Sequence, residues 1–315
     1  MRQQLGNLSS PLVGSRNPRG QIMVNKRVLA KIAQRLPGPV RSLARAAYYR
    51  RTHWAHPEMR GFGTVQDLYY WVSDGNIDTL LLLQNYFSPL YPNLDTKTKG
   101  IVYIHDENGN QLGSEAFDLA HSGCARLRVS TLLERFGDAA SPNFGTLEVN
   151  IEIPKGVLSD IKHQTPFYFW DRFYIGYTTT RGQTCFVHGV DKTHIYREGK
   201  DQPQADWYKP TKRLDWAPEI PVNINDYQKL SVVLINRTNL ASEVELTILD
   251  CNDKTRNWEQ TIPAKGVRRF ELTPDSAVGL DPMELRLQVS GMTSQYGRPV
   301  LFKEFRNGAI SAMHC

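Results

Sequence analysis

Two segments decide the fold, Tyr174-Ile-Gly-Tyr-Thr-Thr-Thr-Arg-Gly-Gln-Thr-Cys-Phe-Val-His188 and Val300-Leu-Phe-Lys-Glu-Phe-Arg-Asn-Gly-Ala-Ile-Ser-Ala-Met-His314. In each, an apolar, β-branched run leads into Arg-Gly or Asn-Gly, and the segment closes on a histidine. Two upstream pairs recur in the same order: Leu80-Leu-Leu-Leu-Gln-Asn85 with Ser231-Val-Val-Leu-Ile-Asn236, and Val102-Tyr-Ile-His-Asp106 with Leu246-Thr-Ile-Leu-Asp250. Features that recur in one order indicate two homologous modules.

The segments around these landmarks have the pattern of strands. Short β-branched or aromatic runs alternate with turn signals, as in Leu285-Arg-Leu-Gln-Val289, which has one apolar and one polar face. Glu107-Asn-Gly-Asn110 predicts a hairpin, because Asn-Gly accepts the positive φ of a type I′ turn. We therefore predict an all-β protein of two tandem antiparallel β-sandwich modules with a short basic α-helical N-terminal arm.

The predicted boundaries follow from composition. Residues 1–60 form the basic arm, 61–190 the first sandwich module and 228–315 the second. Residues 191–227 between them are polar and rich in Pro, with Trp207, Tyr208 and Trp216. This composition predicts a stiff connector whose aromatic side chains pin it to one module.

The arm carries most of the charge. Residues 1–60 hold twelve Lys or Arg and one acid, Glu58, whereas the whole chain has a formal net charge of +6, so the rest is mildly acidic. Residues 22–52 have helical periodicity broken at Leu36-Pro-Gly-Pro39, with basic side chains at Lys26, Arg27, Lys31, Arg35, Arg41, Arg45, Arg50 and Arg51. Such helices rest on an anionic membrane surface or dock on an acidic protein partner. Nucleic acid and packing on the protein's own surface are the alternatives.

The chain lacks sequence signals for export or insertion. No apolar run reaches the ~18 residues of a membrane-spanning helix, and residues 1–20 lack the apolar stretch of a signal peptide. The four cysteines form no CxxC pair. We expect a cytoplasmic protein whose arm lies at the inner face of the membrane.

The histidines His188 and His314 are the first candidates for a site, because they end equivalent segments. One interpretation is structural, with each imidazole satisfying loop carbonyls at the end of a sandwich. Another is a ligand pocket at each sandwich end, with Arg181 or Arg306 nearby. A metal site is the weakest interpretation, because no Cys, Asp or Glu recurs beside either histidine. His105 and His121 are expected at the surface.

The chain contains no nucleophile elbow, P-loop, dinucleotide fingerprint or HExxH motif. His53-Trp-Ala-His56 has the i, i+3 spacing of metal ligands on a helix, but Pro57 ends a helix there. We therefore predict no catalytic residue, no metal ion and no cofactor.

The second module resembles the β-sandwich family of the soluble sensory rhodopsin transducers. The resemblance lies in the order of parts: a strand ending in Asn236, the strand Val244-Glu-Leu-Thr-Ile-Leu-Asp250, the segment Ile262-Pro-Ala-Lys-Gly-Val-Arg-Arg-Phe270, an alternating strand, and the final pair that ends at His314. It implies a non-catalytic domain that self-associates and binds a receptor, nucleic acid or a small ligand such as a sugar. The duplication and the basic arm depart from that family.

These observations favour a non-catalytic binding or adaptor protein, transducer-like or recognising a carbohydrate ligand, which we expect to form a homo-oligomer. Two alternatives remain open. One is an enzyme with a site at the sandwich ends around His188 and His314. The other is a structural assembly subunit whose arm clasps a neighbouring subunit.

Overall fold

The protein is described from a computed structural model. The described residues are 62–137, 142–157, 174–188, 194–197, 214–217, 221–236, 240–292 and 299–314, together with 37 and 40. The chain divides into two compact units, Met1–Pro57 and Glu58–Cys315. Of residues 22–52, in which basic helices are predicted, the structure describes only positions 37 and 40, so this prediction lies outside the described residues.

The described residues of the second unit lie mostly in strands. They are β1 (Phe62–Val72), β2 (Ile77–Gln84), β3 (Thr98–Asp106), β4 (Gln111–Leu119), β5 (Cys124–Arg128), β6 (Phe144–Glu152), β7 (Tyr174–Thr179), β8 (Thr184–His188), β9 (His194–Arg197), β10 (Leu214–Trp216), β11 (Tyr227–Ile235), β12 (Ser242–Leu249), β13 (Thr255–Ile262), β14 (Val267–Leu272), β15 (Arg286–Met292), β16 (Val300–Phe305) and β17 (Ile310–His314). Between the strands, the described residues include the helices α1 (Phe87–Leu90) and α2 (Val129–Phe136) and short 3₁₀ turns at Ile224–Asp226 and Asp275–Ala277.

The strands form four small antiparallel sheets. Sheet A has the order β4-β3-β6-β1-β9, sheet B β5-β2-β7-β8, sheet C β10-β15-β12-β13 and sheet D β14-β11-β16-β17. The predicted all-β class is confirmed. We call β1–β9 the first strand set and β10–β17 the second strand set.

The two strand sets have corresponding topology. Sheets B and D show the same strand order when β2 is matched to β11, and sheets A and C agree in their four shared positions. The two quoted segments form the hairpins β7–β8 and β16–β17, whose turns contain Gly182 (φ 82°) and Gly308 (φ 83°). Their final histidines pair with Tyr174 and Val300, the first residues of the preceding strands.

Asn85 and Asn236, which follow β2 and β11, make the same kind of contact in both strand sets. Asn85 Nδ2 donates to the carbonyl oxygens of Thr96 (2.7 Å) and Ala120 (2.9 Å). Asn236 Nδ2 contacts the carbonyl oxygens of Leu240, Ile262 and Pro263 at 2.7–3.0 Å. Each amide thus ties the end of a central strand to the neighbouring loops, where backbone acceptors need donors.

The buried side chains form two clusters that share sheet D. Leu230, Val232 and Leu234 of β11 pack with sheet C. The alternate residue Val233 instead joins the cluster formed by sheets A and B, together with Val300 and Phe302 of β16. The prediction of two sandwiches, each with its own separate core, is therefore only partly right. Sheet D is covered on both faces and contributes side chains to both clusters. Four packed sheets of this size are comparable to propeller blades.

Two local predictions differ from the structure. Part of the predicted connector belongs to the sheets, since β9 pairs with β1 and β10 with β15. The β-branched and apolar pattern at 125–129 predicts a strand throughout, but β5 ends at Arg128 and helix α2 begins at Val129. Asp78 explains this change, because its carboxylate accepts from both the backbone N–H and the hydroxyl of Ser130 in the first turn.

Candidate ligand-binding surface

The predicted histidine–arginine pockets are not assembled within either hairpin. His188 ends β8, whereas Arg181 lies in the turn at the other end of that strand, about 20 Å away at the rise of a β-strand. Arg306 and His314 stand in the same relation on β17. The side chains of both histidines lie outside the described part of the chain, so their roles stay predictions.

The two hairpins instead lie side by side. The Arg181 guanidinium lies against Gly308, where a Cβ would come within 2.8 Å of Nη1. Further along both strands, the Cys185 thiol lies near the backbone of Ala312. Arg306 Nε donates to the carbonyl oxygen of Asn225 at 2.7 Å. Both predicted arginines therefore make contacts within the protein.

A chain of hydroxyl groups ends at His121. Ser122 N donates to Ser88 Oγ, which lies 2.6 Å from Thr96 Oγ1, and Thr96 Oγ1 lies 2.9 Å from His121 Nδ1. The residue types suit nucleophilic catalysis, but Ser88 is only 3% exposed and no substrate reaches a hydroxyl so deeply buried. This cluster braces the loops around Asn85.

An open cleft of about 800 Å³ lies between the β12–β13 turn and the loop after β14. Its walls carry Asp253 and Asp275 as well as Lys254 and Arg256, so the formal charges cancel. These side chains are exposed, and the apolar Val278 in the cleft is 75% exposed. The cleft is a shallow depression of mixed charge without a buried group aimed into it.

The outward face of sheet B is the most distinctive surface. Strand alternation turns Ile175 and Tyr177 into the core, and the intervening residues of β7 face outward. Residues paired across neighbouring strands share a face, which gives the rows Arg126–Leu82–Tyr174 and Arg128–Leu80–Gly176–Phe186. A third row contains Asp78, Thr178 and Thr184.

Two aromatic rings dominate this face, which we call the sheet B platform. Tyr174 is 47% exposed and Phe186 is 50% exposed. The Phe186 ring lies over Gly176, where a Cβ would come within 2.7 Å of the ring. The glycine therefore lets the ring lie across the neighbouring strand.

Hydrogen-bonding groups surround the rings. Thr178 Oγ1 and Thr184 Oγ1 are 3.0 Å apart. Arg128 Nη1 lies 3.4 Å from Asp78 Oδ2 in a partly exposed ion pair, and Arg126 is exposed at the edge of the sheet. The platform thus combines apolar ring faces with hydroxyl, carboxylate and guanidinium groups.

The corresponding face of sheet D has a different composition and environment. The position of Tyr174 is taken by Val300, that of Phe186 by Ala312 and that of Gly176 by Phe302, as the pairings show. Val300, Phe302 and Ala312 are at most 8% exposed and pack in the cluster with sheets A and B. One copy of this face is an internal contact, and the other is open to solvent.

Sequence reasoning placed Tyr174 and Phe186 on strands but did not identify the platform. The sequence contained a signal for it, because inward and outward positions alternate along a strand. Tyr174 precedes the buried Ile175, and Phe186 precedes the buried Val187, so both aromatic residues fall on outward positions. Within the described residues, no group of three or more His, Cys, Asp or Glu is arranged to hold a metal ion. No described helix is both long and apolar enough to span a membrane.

No protein-family model matches the chain, and no curated protein matches it. Among solved structures, it is similar to a Bacteroides uniformis beta-glucuronidase, with 14% identity and a TM-score of 0.20 over 80% of this chain and 26% of that chain. A glycosyl hydrolase family 2 member from Bacteroides cellulosilyticus shows 9% identity and a TM-score of 0.19, over 79% and 26%. A tandem repeat of a large adhesion protein shows 12% identity and 0.15, over 80% and 48%. The chain spans less than half of each, and TM-scores this low carry no argument about its function.

Proposed function

We propose that this chain is a non-catalytic binding protein that recognises a carbohydrate through the sheet B platform. The observation that carries the proposal is the pair of half-exposed rings, Tyr174 and Phe186, on a face bordered by hydrogen-bonding side chains. Exposed aromatic groups that form a contiguous patch commonly mark a binding site.

The chemistry of the platform suits a sugar ring. A pyranose presents C–H groups on one face, which pack against the electron-rich face of an aromatic ring. Its hydroxyl groups need donors and acceptors at the rim, and Arg126, Asp78 and the Thr178–Thr184 pair offer both. Tyr174 and Phe186 are diagonal neighbours, roughly 7–8 Å apart between Cα atoms, so one oligosaccharide can contact both rings.

The comparison with sheet D supports a ligand rather than another packed β-sheet. The sheet D face packs dry against protein with Val300, Phe302 and Ala312. The platform replaces these with a glycine, two aromatic residues and polar groups, whose remaining hydrogen-bonding capacity suits water or the hydroxyl groups of a ligand. A protein partner remains an outcome of the test below.

The test measures binding of the full chain to a panel of neutral and acidic oligosaccharides by isothermal titration calorimetry. Phe186→Ala and Tyr174→Ala should each weaken binding at least about tenfold, the equivalent of about 1.4 kcal/mol. Val278→Ala, which truncates an exposed apolar residue far from the platform in sequence, is the matched control and should bind like the parent protein. Circular dichroism checks that each variant keeps its strands.

Two results would contradict the proposal. One is the absence of binding to every sugar of the panel. The other is sugar binding that both aromatic variants retain, because the binding site would then lie elsewhere. Self-association that is lost in both variants would assign the platform to a protein contact instead.

Further expectations belong to this proposal. We propose that the two strand sets are tandem copies of one sandwich module, supported by their corresponding strand orders and by Asn85 and Asn236. We also propose that the basic arm within 22–52 attaches the protein to an anionic surface and that the protein forms a homo-oligomer.

A further inference from the structure

The two strand sets meet at a joint between two turns. The β3–β4 turn of the first set contacts the β13–β14 turn of the second. Val267 N donates to the carbonyl oxygen of Glu107 at 3.0 Å, and Arg268 Nη1 donates to the same oxygen at 2.8 Å. Arg268 Nη2 also contacts Asn108 Oδ1 at 3.1 Å. Gly109 lies so close to Ala264 that a Cβ would come within 2.1 Å of its carbonyl oxygen.

An ion pair fixes the joint beside the turns. Lys265 Nζ lies 2.5 Å from Glu148 Oε2, and the Glu148 side chain on β6 is only 6% exposed. Asn150 Nδ2 donates to the other carboxylate oxygen at 3.1 Å, and Thr146 Oγ1 donates to the carbonyl oxygen of Lys265 at 2.7 Å. The joint therefore contains a nearly buried carboxylate that is paired with Lys265.

His105 is buried next to this pair. Its backbone pairs with Thr146, its side chain is hydrogen-bonded to the Thr146 backbone, and the residue is 4% exposed. No described group forms a hydrogen bond with its Nδ1 atom. A neutral imidazole tolerates this position as an unused acceptor, but a protonated imidazole would have a charged N–H without an acceptor.

We infer that this joint is a pH-sensitive latch, which His105 weakens when it takes up a proton. The inference goes beyond the proposed function, because it concerns the connection between the strand sets and not the platform. The charged groups that face His105 are Glu148 on β6, Lys265 in the β13–β14 turn and Asp106 on its own strand. Arg268 brings a further positive charge to the same turn.

The direction of the pKa shift of His105 agrees with a joint that protonation weakens. Burial lowers the pKa of His105 from its ordinary value of 6.5, and the charge of Lys265 lowers it further, while Glu148 and Asp106 act in the opposite direction. The opened joint exposes the imidazole, which then binds protons with its ordinary pKa. The closed joint is therefore favoured above pH 6.5 and loses stability as the pH falls from there towards the lowered pKa.

Hydrogen–deuterium exchange of the full chain tests the latch at about pH 7.5 and about pH 5.5, with correction for intrinsic exchange. Peptides covering 107–110 and 264–268 should open up to roughly tenfold more often at the lower pH, the limit set by linkage to one group. The corresponding turn at 250–254, which is not part of the joint, supplies the control. NMR titration of the His105 ring should show a pKa below 6.5.

His105→Gln should abolish the pH dependence of exchange in both turns, whereas His121→Gln, at an exposed histidine, should leave it unchanged. A pH dependence that persists in His105→Gln would overturn the inference. So would a His105 pKa at or above 6.5 in the NMR titration, a measurement that needs no variant. The platform variants play no part in this test, so either proposal can fail alone.

Discussion

Substitution of Asn236 tests the loop closure that recurs in both strand sets. Its Nδ2 group serves the carbonyl oxygens of Leu240, Ile262 and Pro263, and the residue is 2% exposed. Asn236→Ala removes the donor and leaves these acceptors in a largely dry site. One unsatisfied buried acceptor costs about 1–3 kcal/mol. Water can enter beside Leu240, which is 60% exposed, so we expect a total loss of about 2–3 kcal/mol in unfolding free energy.

Asn236→Asp sharpens the test, because it keeps the shape of the side chain and replaces the donor by an acceptor. A carboxylate would face three carbonyl oxygens, so this variant should lose about 1 kcal/mol more than Asn236→Ala at neutral pH. Urea denaturation followed by circular dichroism measures both values. The matched variant Asn85→Ala, which frees two carbonyl oxygens, should lose less than Asn236→Ala. Equal stability of the Asp and Ala variants at neutral pH would refute this explanation of the recurring asparagine.

Two other predictions concern ionisation and the arm. Burial raises the pKa of Tyr177 well above 10.0. The contribution of its neutral hydroxyl to stability is therefore complete below pH 10 and is lost as the pH rises through the raised pKa. Tyr177→Phe should remove one late step from an ultraviolet titration, and an unchanged titration would contradict this. The arm within 22–52 should sediment with anionic liposomes and release as salt rises, because charge attraction dominates; equal binding to neutral liposomes would count against it.

The fold could be predicted largely from recurring local signals. Asn85 and Asn236 mark strand ends, and Asn-Gly at 108–109 marks a hairpin whose Gly109 has a φ of 81°. These features depend on a few neighbouring residues, so the sequence contains them. Helix α2 was missed because its first turn is capped by Asp78, a residue about fifty positions upstream.

The candidate sites were harder to predict, because they depend on what covers each sheet face. His105 lies on an alternating strand and was expected at the surface, yet it is only 4% exposed and lies close enough to Lys265, in the β13–β14 turn of the second strand set, to feel its charge. Conversely, Phe186 lies on a strand whose outward face is not covered, and its side chain is half exposed. Alternation separates the two faces of a strand, but it does not show which face meets protein and which meets water.

The joint between the strand sets shows why corresponding positions diverge. Glu148 pairs with Tyr103 of β3, which lies three residues before Asp106. In the second set, the residue three before Asp250 is Thr247 of β12, and it pairs with Gln288. Gln288 therefore occupies the position of Glu148. The glycine that allows close contact, Gly109, corresponds to Asp253, which keeps a positive φ of 60° but adds a side chain. At the β12–β13 turn of the second set, a turn like 263–268 could not pair its lysine with a carboxylate at the position of Glu148. The side chain of Asp253 would also occupy the space that Gly109 leaves for the carbonyl oxygen of Ala264. The second strand set therefore lacks the features that the first strand set uses to hold this turn, so the two copies of the β-hairpin have different roles in the fold.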